Sequence, residues 1–81
     1  MKIPRDVSGD ELARPLTQFG YVITRQTGSH MRLTSSSKGS EHHITIPCHT
    51  PLKIGTMNSI LKDVASYLEI ERSQLVNNLF A

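Results

Sequence analysis

The chain has no tryptophan and a single cysteine, Cys48. One cysteine excludes an internal disulfide and fits a reducing compartment. No apolar run approaches the ~20 residues needed to cross a bilayer, which excludes a membrane-spanning helix. The start of the chain lacks the apolar stretch of a secretory signal, so the expected location is the cytoplasm. Only four side chains are aromatic: Phe19, Tyr21, Tyr67 and Phe80. At 81 residues the chain makes one small domain, 1–81, with a thin core. Such a domain buries only roughly 60–65% of its unfolded surface, so a shallow surface site is expected rather than a deep pocket. A hydrophobic content of 37% still belongs to a globular chain and not a disordered one.

Acidic side chains are scarce in one stretch. Residues 21–60 hold Arg25, Arg32, Lys38 and Lys53 against Glu41 alone, whereas both ends are close to neutral. All four histidines, His30, His42, His43 and His49, fall in the same stretch. The middle of the chain is therefore the part suited to face a polyanion.

The elements follow from periodicity. Ser8-Gly9-Asp10-Glu11 has the form of a capping box, with Ser8 as N-cap. Leu12, Leu16 and Phe19 then fall on one helical face, and Gly20 ends the helix. Pro15 predicts a kink or irregularity within it. Tyr21–Arg25 and Ser29–Thr34 alternate as strands. A three-residue loop, Gln26-Thr27-Gly28, with Gly28 left-handed, would pair Ile23 with Met31 and Tyr21 with Leu33. A two-residue loop would set Ile23 opposite Arg32 and mix the faces, so the longer loop is expected. His42–Pro47 reads as a third strand, with Ile44 and Ile46 inward and His43 and Thr45 outward. Met57, Ile60, Leu61, Val64 and Leu68 mark a second helix from about Ile54, and Leu75, Val76 and Leu79 a short third one. The expected class is α+β: a helix, a three-stranded antiparallel sheet and a helix, with an extra C-terminal helix. Helices on one face would leave the other open, carrying Thr24, His30, Arg32, His43 and Thr45.

His30 is the sharpest candidate for chemistry. Alternation puts it on the polar face, and free imidazole titrates near pH ~6.5, so it can exchange protons at neutral pH. RNA supplies its own nucleophile, the 2′-hydroxyl. Cleaving it needs a base and a few cations. Gly28 and Ser29 would let a phosphate approach the backbone, and Arg32 would hold it. Pro47 and Pro51 bracket a turn that places His49 and Lys53. Lys53, Gly55 and Thr56 open the second helix, where free amides favour phosphate. His42, His43, Cys48 and His49 have the wrong order for the familiar zinc modules, and neighbouring histidines on a strand face opposite ways, so no metal or other cofactor is expected. Cys48 reads as a semi-buried thiol.

Phe19-Gly20-Tyr21, Arg25-Gln26-Thr27-Gly28-Ser29-His30, Ile46-Pro47-Cys48-His49, Leu52-Lys53-Ile54-Gly55-Thr56 and Ile60-Leu61-Lys62 occur in that order. In this order they resemble the HicA (YcfA-like) mRNA interferase toxins, over roughly residues 8–68. The resemblance implies a double-stranded-RNA-binding-domain-like fold, ribosome-independent cleavage of mRNA and a HicB-type antitoxin partner. It maps the family's catalytic histidine onto His30, and its Pro-x-His stretch onto Pro47 and His49. Met31 stands where many members carry a second polar residue, and the register above turns it inward. The alternative function is a non-catalytic RNA-binding module on the same fold.

Overall fold

The computed structural model describes residues 6–80. Helix α1 (Gly9–Leu16) runs on through a 3₁₀ turn (Thr17–Phe19). Strands β1 (Val22–Thr27), β2 (His30–Ser35) and β3 (His42–Pro47) form an antiparallel sheet in the order β1-β2-β3. Helices α2 (Ile54–Leu68) and α3 (Arg72–Phe80) complete the chain. The α+β arrangement is the expected one and is consistent with a double-stranded-RNA-binding-domain-like fold. No helix among the described residues is long and apolar enough to cross a membrane.

The capping box forms as expected. The Glu11 amide donates to the Ser8 hydroxyl at 3.1 Å, and the Ser8 amide donates to the Glu11 carboxylate at 3.0 Å. These bonds from Ser8, its backbone amide foremost, hold the Glu11 carboxyl below its ordinary value. Their contribution to stability is therefore present above the unfolded-state value and fades as pH falls through the folded one. Pro15 sits in the last turn and does not break the helix, which tightens to 3₁₀ just after it. Gly20, at φ +85°, then turns the chain into β1 in the left-handed conformation that glycine adopts without strain.

Met31 and Leu33 of β2 and Ile44 and Ile46 of β3 are buried on one face of the sheet. Leu12 and Leu16 of α1, and Met57, Leu61 and Val64 of α2, are buried in the same core. Leu75 and Val76 bring α3 into it, where it packs on α1 and α2. The other face of β2 and β3 stays exposed at His30, Arg32, His43 and Thr45. Burial alternates along β3 and from His30 to Leu33 in β2, because successive side chains point to opposite faces, while Thr34 and Ser35 at the end of β2 are both buried.

The β1–β2 hairpin differs from the sequence expectation. Its loop is Gly28-Ser29, two residues and not three, and Gly28 is not left-handed. Thr27 pairs with His30, Gln26 with Met31 and Arg25 with Arg32. The ladder then slips by one at Thr24, so that Ile23 meets Leu33 and Val22 meets Thr34. Without the slip this turn would set Ile23 opposite Thr34, and the β-bulge brings it to Leu33 instead. Ile23 keeps an apolar partner because the extra residue resets the alternation. The expected pairs Ile23–Met31 and Tyr21–Leu33 do not form. β1 tolerates the bulge because it is an edge strand with every residue exposed, Ile23 at 51% included.

A polar cluster fastens the far end of the sheet. Tyr21 is fully buried, and its hydroxyl lies 2.7 Å from Nδ1 of His42. His42 Nε2 lies 3.1 Å from the Asp63 carboxylate on α2. The imidazole stacks on Tyr67 with centroids 4.6 Å apart. The Tyr67 hydroxyl donates to the Ser40 carbonyl at 2.6 Å and accepts from the Lys38 amide at 3.0 Å, which pins the β2–β3 loop. Burial, with smaller contributions from Tyr67 and Asp63, pushes the Tyr21 hydroxyl well above its ordinary value, so it stays protonated.

Candidate nucleic-acid interface

The two-residue turn and the pairing it sets place Thr27 beside His30 and Arg25 beside Arg32 on the open face. Thr45 joins them from β3, opposite Arg32. Arg25, Thr27, His30, Arg32 and Thr45 line one shallow depression of about 170 Å³. The lining carries two guanidinium groups, an imidazole and two hydroxyls, and no carboxylate. Thr24 fixes the bulge from the same side. Its hydroxyl lies 2.9 Å from that of Thr34, which in turn lies 2.7 Å from Nδ1 of His43.

His30 is exposed at the start of β2, and its Nδ1 lies 3.0 Å from the Ser29 hydroxyl. That hydrogen bond holds the ring by one nitrogen and leaves Nε2 for a ligand. The Ser29 carbonyl accepts from the Cys48 amide at 2.8 Å, so the turn is tied to the segment after β3. Cys48 itself is half-buried.

The remaining candidates stand apart from the depression. His49 is exposed on the segment after β3, and its carbonyl accepts from the Gly9 amide at 3.1 Å. Lys53 is the exposed N-cap of α2, with no side-chain capping bond. Gly55 is exposed and Thr56 half-buried in the helix's first turn. His42 is committed to the Tyr21–Asp63–Tyr67 cluster and His43 to Thr34. Among the described residues, no group of three or more His, Cys, Asp and Glu side chains is placed to hold a metal ion.

Sequence reasoning missed Arg25 and Thr27 as lining residues, and it placed Thr45 on the open face with His30 and Arg32 without counting it in the site. The three-residue loop assigned Arg25 to the same face as Ile23. No alternation signal marks the slip at Thr24 that carries Arg25 across to the face of Arg32.

The sequence model of the HicA toxin of bacterial toxin–antitoxin systems matches residues 9–65. The chain belongs to the HicA toxin family. The match runs from the first residue of α1 almost to the end of α2 and contains the whole depression. No curated protein and no solved structure matches the chain. As a HicA toxin, the chain is the toxic member of a two-protein system and has an antitoxin for a partner. Helix α3 lies outside the family match.

Nothing in the backbone of this HicA chain requires a glycine at position 28. Gly28 has no positive φ, and a Cβ built on it would meet nothing within 4 Å. Neither conformation nor packing requires glycine there. The open backbone beside His30 is what a side chain would take away. Gly28→Ala is expected to leave the melting temperature unchanged and to weaken RNA binding several-fold. Thermal melts and RNA titrations of the two proteins check this. A variant that binds as tightly as the parent would show that the turn does not approach the ligand.

Proposed function

We propose that this toxin is an endoribonuclease that cleaves mRNA at the depression on the open sheet face, with His30 as the acid–base residue. The observation that carries the reading is the position of His30: an exposed imidazole, held by Ser29, beside Arg32 in a depression without carboxylates. With Nδ1–H donating to the Ser29 hydroxyl, Nε2 holds the lone pair and takes the proton from a ribose 2′-hydroxyl. The 2′-oxygen attacks the adjacent phosphorus and the bond from phosphorus to the 5′-oxygen breaks. The 5′-oxygen leaves as a hydroxyl with a proton from solvent, which the open site admits. The products are a 2′,3′-cyclic phosphate and a 5′-hydroxyl end. Arg32 offsets the charge that builds on the non-bridging oxygens.

His43 is held by Thr34, and neither His43 nor His49 lines the depression, which supports His30 as the base. His49, Lys53, Gly55 and Thr56 lie on the segment tied to the turn, and we assign them to phosphates either side of the cleaved one. The antitoxin is of the HicB type in this reading. It presents acidic side chains to the cationic face and shields His30 and Lys53, since opposite charge speeds association and competes with RNA.

The chemistry draws its nucleophile from the substrate, and this gives the test. An RNA with a single 2′-deoxyribose at the cleaved position is expected to bind but not be cut there. Cleavage of the all-ribose RNA is expected to survive EDTA and to leave cyclic phosphate ends. Cutting at the deoxy position, or 5′-phosphate products, would overturn the mechanism. Binding without any cleavage would leave an RNA-binding module.

A further inference from the structure

Arg25 and Arg32 sit directly opposite each other on the outer face of β1 and β2. Like charges in that position repel. Among the described residues, the ion pairs are Lys38–Glu69, His42–Asp63 and His43–Glu41, and none includes either arginine. The two guanidiniums share their depression with His30, Thr27 and Thr45, so every lining side chain donates hydrogen bonds or can do so. Such a lining suits a small anion with several acceptor oxygens. The depression has no aromatic side chain beyond the imidazole on which a base could stack. Its lining therefore suits a phosphate and gives little purchase on a base.

We propose that Arg25 is the second arm of a two-arginine clamp, opposite Arg32, that holds one backbone phosphodiester against His30. The clamp rests on the RNA-directed reading above but not on cleavage. Arg25 takes one non-bridging oxygen and Arg32 the other, while the hydroxyls of Thr27 and Thr45 cap the group from the two sides. Two features of the hairpin build it. The two-residue turn sets Arg25 beside Arg32. The bulge at Thr24, locked to Thr34, lets the strand keep that pairing while Ile23 still meets Leu33. Recognition at this point is of backbone and is expected to be tolerant of sequence.

The test uses the full chain and a single-stranded RNA that is 2′-O-methylated throughout, so that nothing is cut. Affinity is measured across a range of salt concentrations. Each phosphate that the protein neutralises on a single strand contributes about 0.7 to the slope of log K against log salt. Because Arg32 still faces the same phosphate, Arg25→Ala and Arg25→Gln are each expected to flatten the slope by only part of that amount and to weaken binding equally for unrelated sequences. Arg25→Lys is expected to keep the slope but not the full affinity, because an ammonium lacks the rigid planar fork of donors that aims a guanidinium at its oxygen. Lys62→Ala, on α2 away from the depression, is expected to change nothing. In the unliganded protein, inorganic phosphate is expected to shift the NMR signals of the Arg25 and Arg32 side chains and of His30 together. An unaltered slope in both Arg25→Ala and Arg25→Gln overturns the clamp, and so do phosphate shifts that bypass Arg25. A flattened slope in a protein that never cleaves its all-ribose substrate upholds the clamp and refutes the ribonuclease reading instead.

Discussion

His30→Ala is expected to fold like the parent protein and to lose RNA cleavage by a factor of about 10²–10⁴, the usual worth of a positioned acid–base group. The fold should survive because His30 is exposed and its side-chain hydrogen bond is with its own neighbour, Ser29. Its backbone place opposite Thr27 and Pro47 does not depend on the imidazole. Growth arrest on expression should vanish with cleavage. RNA binding should fall far less, since the arginines remain. That split between binding and turnover separates a proton-transfer role from a merely electrostatic one. Full cleavage by a folded His30→Ala protein would remove the residue from the mechanism.

Gly9→Ala is expected to damage the fold more than any substitution on the open face. A Cβ on Gly9 would run into the carbonyl oxygen of Pro47 and crowd Ile46, which are backbone and core and cannot step aside. Gly9 is buried at the point where α1 docks on the end of β3, and its amide donates to the His49 carbonyl. The expected loss is about 1–3 kcal/mol from overpacking and about 1 kcal/mol more if the His49 bond opens. For a chain of this size that lowers the melting temperature by roughly 4–8 °C per kcal/mol. Calorimetry checks it directly. A melt within a degree or two of the parent would mean that α1 can ride away from β3 without cost. Gly55→Ala is the control, since a Cβ there meets nothing within 4 Å.

The sequence made some of these elements legible and hid others, for identifiable reasons. α1 was readable because Ser8 and Glu11 carry a reciprocal capping signal within four residues. β3 was readable because Ile44 and Ile46 alternate with His43 and Thr45 and Pro47 ends the run. Met31 was placed inward by the same alternation, and it is buried. The hairpin was misread because a bulge is invisible to alternation. Counting by twos from Ile23 assigns Arg25 to the core face, and only the slip at Thr24 corrects it. The candidate site inherits that error on its β1 side. On β2, alternation places His30 and Arg32 on the open face, where they lie, because the strand's register is continuous with both neighbours over that stretch. His42 was hard to place from sequence for another reason. Its partners, Tyr21, Asp63 and Tyr67, come from distant parts of the chain on either side of it.

The alternation along β2 divides its residues between two tasks. Met31 and Leu33 hold the domain together, while His30 and Arg32 address whatever lies outside. Substitutions on the outer set can therefore reshape the open face with little effect on folding. Length changes are another matter. One residue gained or lost inside β2 would exchange the two sets, sending arginine into the core and leucine to the surface. β1, bordered on one side only and contributing nothing buried, has room for its extra residue. The hairpin thus has an adjustable arm and a fixed one, and novelty in what this surface grips is cheapest to acquire by lengthening or shortening the first.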